Sequence, residues 1–312
     1  MLVYILLIVG FICLIKGADF FVGGSSGLAK KFHVPSLIIG MTIVAMGTSA
    51  PECAVSISAS LNDSNAMAIS NVVGSNMFNL LVVCGVCALI VPLKVKGSTL
   101  KKEFPFSIIV GLILLGLGVV QMGIQRLDGV ILLLIFALFL YMMISAVKKS
   151  KDQVQEEPEV YQPPFSWWKC LLCIGGGLAA IVFGGQLVVH CAEEIAYSWG
   201  LSENFVGLTV CAIGTSLPEL VTSIVAARKG EDDMAIGNVI GSNIFNILLV
   251  LGAAAFISPI EVTMDNLIDL VILAVASVVV LLMILPKKRL GRAGGLIAVG
   301  IYVVDMVYIF FR

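Results

Sequence analysis

Charged side chains are scarce in this sequence: Asp, Glu, Lys and Arg make up only 12% of its 312 residues, while 59% are hydrophobic. Soluble globular chains are about 45–50% apolar, so a water-soluble fold is excluded and a polytopic membrane protein is implied. With a net charge of −1 and no basic stripe interleaved with aromatics, nothing offers a face to nucleic acid. The first apolar run has no basic residue ahead of it, and it leads into Lys16, Asp19 and a glycine-rich stretch rather than a small-residue cleavage site. It is therefore expected to be retained and not removed as a signal peptide. Eight cysteines all fall within apolar runs, where Cys behaves as a small hydrophobe. Cys84/Cys87 and Cys170/Cys173 have the C-x-x-C spacing of a structural metal site, but neither pair is flanked by polar residues that would support one.

What is abundant is apolar sequence in long runs. Runs of about 20 residues, enough to cross a hydrocarbon core of roughly 30 Å, lie near 2–29, 36–60, 66–91, 104–122, 127–147, 167–197, 204–227, 234–257, 264–285 and 293–311. An all-α membrane protein of about ten transmembrane helices follows, five in residues 1–147 and five in 167–312. Residues 148–166 read as a linker, with Lys148-Lys149-Ser150-Lys151, Glu156-Glu157 and Pro163-Pro164. Cytoplasmic loops carry the Lys/Arg excess. With both termini outside the cell membrane, the inner loops collect nearly every Lys and Arg, and the outer side keeps Arg126 and Arg312. An odd helix number per half makes the second half enter from the opposite side, so the halves are expected to be inverted.

Polar residues inside these runs are few, and they repeat. Gly47-Thr48-Ser49-Ala50-Pro51-Glu52 recurs as Gly214-Thr215-Ser216-Leu217-Pro218-Glu219. Asn71-Val72-Val73-Gly74-Ser75-Asn76-Met77-Phe78-Asn79 recurs as Asn238-Val239-Ile240-Gly241-Ser242-Asn243-Ile244-Phe245-Asn246. The offset is 167 residues both from Glu52 to Glu219 and from Asn79 to Asn246. Chance similarity of apolar segments explains a matched Leu or Val, not a matched Pro, Glu and Asn.

On one helix, residues three and four apart share a face, so Thr48, Glu52 and Ser56 align and Ser49 sits beside Glu52. Pro51 and Pro218 donate no backbone hydrogen bond and crowd the carbonyl four residues back, which should loosen the turns Ala45–Gly47 and Ala212–Gly214 and free carbonyls as ligands. Gly74 and Gly241 are expected to let helices approach closely. The donors are all oxygen, which suits a hard cation. Calcium accepts 6–8 oxygens in a flexible shell, whereas magnesium keeps its waters, and transition metals favour His or Cys. A charge at a helix centre costs roughly 2.5–3.5 kcal/mol, and no Lys or Arg in either motif pairs with the glutamates. Two carboxylates held only to bind helices together are therefore disfavoured against a cation site.

These residues resemble the sodium/calcium exchanger family of the cation/calcium antiporter superfamily, whose two α-repeats the G-T-S-x-P-E and G-S-N-x-F-N runs match. The resemblance implies ten helices, four of them around the site, and two long helices, 2–29 and 167–197, that slide to alternate access. It implies ligation by Thr48, Ser49, Glu52, Ser75 and Asn79 with Thr215, Ser216, Glu219, Ser242 and Asn246, and by the carbonyls of Ala45 and Ala212. Calcium and sodium would be cargo, with no cofactor. Some relatives carry Asp where this chain has Asn246, which weakens a case for potassium co-transport. The large calcium-sensing insert of animal exchangers is absent, as in a prokaryotic-type member.

Other polar features carry less. His190, Glu193 and Glu194 read as the polar outer end of a long helix, and Lys16 and Asp19 as a local pair. Three functions stay open: calcium/sodium antiport, antiport of calcium or another cation against protons, and a membrane-embedded hydrolase. The hydroxyl and carbonyl ligands favour sodium, since protons need no such cage. A hydrolase needs a nucleophile and base, or metal-binding His, in the core, and the motifs supply none.

Overall fold

Long apolar runs broken by short polar segments fold into helices joined by tight turns. The computed structural model describes residues 2–62, 65–153, 166–199 and 212–311. In chain order the helices are α1 (Leu2–Phe32), α2 (Ser36–Thr48), α3 (Ala50–Leu61), α4 (Met67–Ile90), α5 (Gly97–Gln121) and α6 (Arg126–Gln153). Then come α7 (Trp167–Ser198), α8 (Ala212–Thr215), α9 (Leu217–Arg228), α10 (Asp232–Ile257), α11 (Met264–Ile284) and α12 (Arg292–Phe311). Among the described residues, 8 helices are long and apolar enough to cross a membrane, or 9 if α2 and α3 are one broken span.

The structure corrects several expectations. The run 36–60 is not one straight helix: α2 and α3 meet at a 50° bend, where Ser49 leaves helical geometry (φ −83°, ψ 9°). Pro51 sits in the first turn of α3, where its missing N–H costs nothing. α6 continues to Gln153, taking up the first residues assigned to the linker, because no proline interrupts Lys148 to Gln153. Residues 154–165 of that linker and the start of the run 204–227 lie outside the described residues. Four two-residue strands also depart from a purely helical fold. They are β1 (Leu93–Lys94), β2 (Gly123–Ile124), β3 (Ile260–Glu261) and β4 (Arg289–Leu290). β1 pairs antiparallel with β4, and β2 with β3. β1 and β2 sit at opposite ends of α5, and β3 and β4 at opposite ends of α11, so each end of the molecule carries one ribbon.

The core is built around α4 and α10, whose most apolar windows are 72% and 78% buried, against 17% for α6 and α12. Outside that core, α1 and α7 run antiparallel along each other. A Cβ on Gly17 would stand 2.9 Å from the Gly177 carbonyl oxygen, and one on Gly184 2.7 Å from that of Gly10. The two backbones therefore touch, as small residues allow between membrane helices. Cys84 and Cys87 lie on α4 near α12, since a Cβ on neighbouring Gly85 would meet Val299. Cys170 and Cys173 lie against Gly24 of α1. No group of three or more His, Cys, Asp or Glu among the described residues is placed to hold a metal.

Candidate functional site

Among the described residues, three segments wind as π-helix: Gly40–Val44, Phe78–Val83 and Asn246–Leu251. Such turns collect at functional sites, and Asn79 and Asn246 stand in two of them. Around Gly241 of α10 the backbones approach closely: a Cβ there would be 2.5 Å from Met41 Cα. Gly74 behaves differently, with no described neighbour within 4 Å. Position 208, which corresponds to Met41, lies outside the described residues.

These crossings bring the bend at Ser49 against the junction of α8 and α9. Glu52, Glu219, Ser49 and Ser216 are all 0% exposed. Ser49 does not sit beside Glu52 as the single-helix reading supposed. The bend turns it across the molecule, where its Oγ donates to Glu219 Oε1 at 2.7 Å. Ser216 Oγ in return donates to Glu52 Oε1 at 3.0 Å. Ser75 Oγ donates to the same Glu52 oxygen at 3.3 Å, lies 3.0 Å from Ser216 Oγ and accepts from Asn246 Nδ2 at 3.3 Å. Thr48 is turned away from Glu52, its Oγ1 donating to Asn238 Oδ1 at 3.1 Å and lying 3.2 Å from Val44 O.

The remaining candidates divide. Asn79 and Ser242 are buried in the core, and the Asn79 amide and Ser242 Oγ have no hydrogen-bond partner among the described residues. Neither do Glu52 Oε2, Glu219 Oε2 and Asn246 Oδ1. The carbonyl of Ala45 is not freed by Pro51, because the Ser49 N–H donates to it at 3.0 Å. In the other half the Ser216 N–H donates to Ile213 O at 3.2 Å. Thr215 is half-buried at the end of α8.

Buried polar atoms are normally paired, and an unpaired one costs about 1–3 kcal/mol. The unpaired oxygen set here consists of two carboxylate oxygens, a hydroxyl and the amide oxygens of Asn79 and Asn246. It calls for a ligand that accepts oxygen lone pairs. No Lys or Arg forms an ion pair with either glutamate among the described residues. A separate crevice of about 650 Å³ runs along the outer face of α3 between Met46, Ala50, Cys53, Leu61 and Phe245. It contains none of the candidate ligands.

Several residues of the site were quoted in the repeats but not read as part of it. Asn71 Nδ2 donates to Ser56 Oγ at 2.9 Å and to the Glu52 carbonyl at 3.3 Å. Asn238 Nδ2 does the same to Ser223 Oγ at 3.0 Å and the Glu219 carbonyl at 3.5 Å. Asn76 and Asn243 exchange bonds between α4 and α10, each amide donating to the other's carbonyl, at 3.2 and 3.4 Å. Their shared offset of 167 residues was the available signal.

The family model described as sodium/calcium exchanger protein matches residues 2–145 and 169–311. The chain belongs to the sodium/calcium exchanger family. Among relatives of this family member, the sodium/calcium exchanger MaX1 of Methanosarcina acetivorans is 30% identical over 99% of this chain and 98% of its own. The inner membrane protein YrbG of Escherichia coli is 35% identical over 98% of this chain and 96% of its own. A solved structure of the sodium-calcium exchanger NCX_Mj, soaked with zero Na+ and Ca2+, superposes with a TM-score of 0.86 at 30% identity, covering 99% of both chains. The described residues therefore have the family's helical membrane fold.

Proposed function

We propose that this exchanger-family protein moves calcium across the cell membrane in exchange for sodium, by alternating access to the site between the two motifs. The observation that carries the reading is the pair of buried glutamates, each bonded through one oxygen to the other motif's serine and leaving Oε2 unpaired. Two carboxylates neutralise one divalent ion, and the surrounding hydroxyl and amide oxygens complete a shell of the kind calcium accepts. Glu52, Glu219, Ser75, Asn79, Ser242 and Asn246 are the proposed ligands, joined by Ser49, Ser216, Thr48, Thr215 and the carbonyls of Ala45 and Ala212. The relatives MaX1 and NCX_Mj, both named as sodium/calcium exchangers, agree with sodium as the counter-ion.

The same reading takes the chain as ten helices in two inverted five-helix repeats, residues 1–147 and 167–312. The ribbons support it: Leu93 corresponds to Ile260 and Gly123 to Leu290 at the 167-residue offset, yet β1 pairs with β4 and β2 with β3. Equivalent strands thus lie at opposite ends of the molecule. The β1·β4 end carries Lys94, Lys96, Lys101, Lys102, Lys287, Lys288, Arg289 and Arg292, and the basic excess makes it the cytoplasmic end, with both termini outside.

Binding of radioactive calcium to the purified protein, with sodium varied at fixed pH and, separately, pH varied without sodium, tests the pairing of ions. Sodium is expected to displace calcium and choline is not. Displacement by protons alone, with sodium inert, would transfer the reading to a calcium/proton antiporter.

A further inference from the structure

The proposed site is buried from both sides, so transport requires whatever covers it to move. The helix pair α1 and α7 is that cover. Phe21 of α1 and Leu178 of α7 lie against Gly47, each about 3.1 Å from where its Cβ would be. Val189 of α7 lies against Gly214, and Gly185 against Pro218. Both helix breaks thus sit under the pair.

At the basic end α1 is tied down. α9 ends in a turn in which the Glu231 N–H donates to Ala226 O at 3.0 Å and the Gly230 N–H to Ala227 O at 3.1 Å. Gly230 takes φ +77°, the left-handed residue that closes such a turn. This geometry presents Lys229 and Glu231 to α1. Lys229 Nζ lies 2.7 Å from both Asp19 Oδ1 and the Asp19 carbonyl, so Asp19 pairs with Lys229 and not, as the sequence reading supposed, with Lys16. Glu231 accepts from Ser26 Oγ, accepts from Ser36 Oγ at 3.0 Å and lies 3.5 Å from Lys30 Nζ.

These charges do not recur in the sequence of the other half. At the 167-residue offset, Lys229 corresponds to Asn62, Glu231 to Ser64, Asp19 to Gln186 and Lys30 to Tyr197. Not one of the four charges is repeated, although the ligand motifs are repeated almost residue for residue. Duplicated parts bind the ion, and unduplicated parts hold the cover at one end.

We propose that Lys229 and Glu231 form a one-sided latch, fastening α1 to the α9–α10 turn and biasing the protein toward the state closed at its basic end. This rests on the transport reading above. A ligand reaching a state populated only in part binds more weakly by that fraction, so the latch raises the apparent KM for calcium offered at the basic-end face.

The test measures apparent calcium KM at each face, in membrane vesicles of known sidedness, for wild type, Lys229→Asp, Glu231→Gln and the exchanged pair Asp19→Lys with Lys229→Asp. Releasing a partly exposed charge pair is expected to lower KM at the basic-end face by about two- to fivefold. At the opposite face KM should change by less than about twofold, since the already dominant state loses little population. The exchanged pair restores the wild-type ratio. Variants whose maximal rate falls at both faces while the KM ratio stays fixed would overturn the latch, because a merely structural role behaves that way. A wild type without sodium-dependent calcium exchange would overturn the transport reading itself.

Discussion

Ser49 Oγ donates a hydrogen bond to Glu219 Oε1 at 2.7 Å, from one polar motif to the carboxylate of the other. With its counterpart from Ser216 to Glu52, it makes the site a shared product of both halves. Hydrogen bonds to charged groups contribute about 1.5–3 kcal/mol. Ser49→Ala is therefore expected to weaken calcium binding by roughly tenfold or more. A double-mutant cycle with Glu219→Gln should show coupling, and one with Glu52→Gln markedly less. Equal coupling to both glutamates, measured by calcium titration, would contradict the crossed arrangement.

Asn238 links three segments, donating to Ser223 and the Glu219 carbonyl and accepting from Thr48. Asn238→Ala should destabilise the protein by about 1–3 kcal/mol, the cost of buried polar groups left unpaired, and weaken calcium binding. Asn71→Ala, at a less buried position and without a bond to the second motif, should cost less. Thermal unfolding in detergent with and without calcium orders the two.

Gly177 lies against the α1 backbone, a Cβ there meeting the Phe21 nitrogen at 2.6 Å. Gly177→Val should force the helices apart at a cost of about 1–3 kcal/mol or more. Gly176→Ala, where nothing lies within 4 Å, should leave the melting temperature unchanged.

Acidification tests the carboxylate pair. On the proposed reading each glutamate binds calcium only after releasing its proton, so protons and calcium should compete for Glu52 and Glu219. Lowering the pH is expected to raise the apparent KM for calcium and leave the maximal rate intact. Inhibition that added calcium fails to relieve would mean protons act elsewhere.

Much of the architecture was legible because the membrane imposes it: a span needs a long apolar run, and the runs stand out. The buried polar cluster was legible because carboxylates and amides in such runs are rare and these are duplicated. The helix bend at Ser49 and the crossing of the serines were not, since helix periodicity assumes the straight helix that Pro51 interrupts. The Lys229–Asp19 contact was invisible for another reason: the two residues are far apart in sequence, belong to no repeat, and Lys16 offered a nearer partner for Asp19. The carbonyl of Ala45 shows the limit of proline reasoning, because the missing N–H of Pro51 leaves the bond from the Ser49 N–H untouched.

The most direct measurement is calcium uptake into sodium-loaded proteoliposomes diluted into sodium-free buffer, with wild type and Glu52→Gln side by side and an imposed pH gradient as a parallel driving force. Uptake should require internal sodium, persist without a pH gradient, and vanish in Glu52→Gln while that variant still inserts and elutes as wild type. Uptake driven by the pH gradient alone, or undiminished in Glu52→Gln, would contradict a sodium/calcium exchanger built on the two buried glutamates.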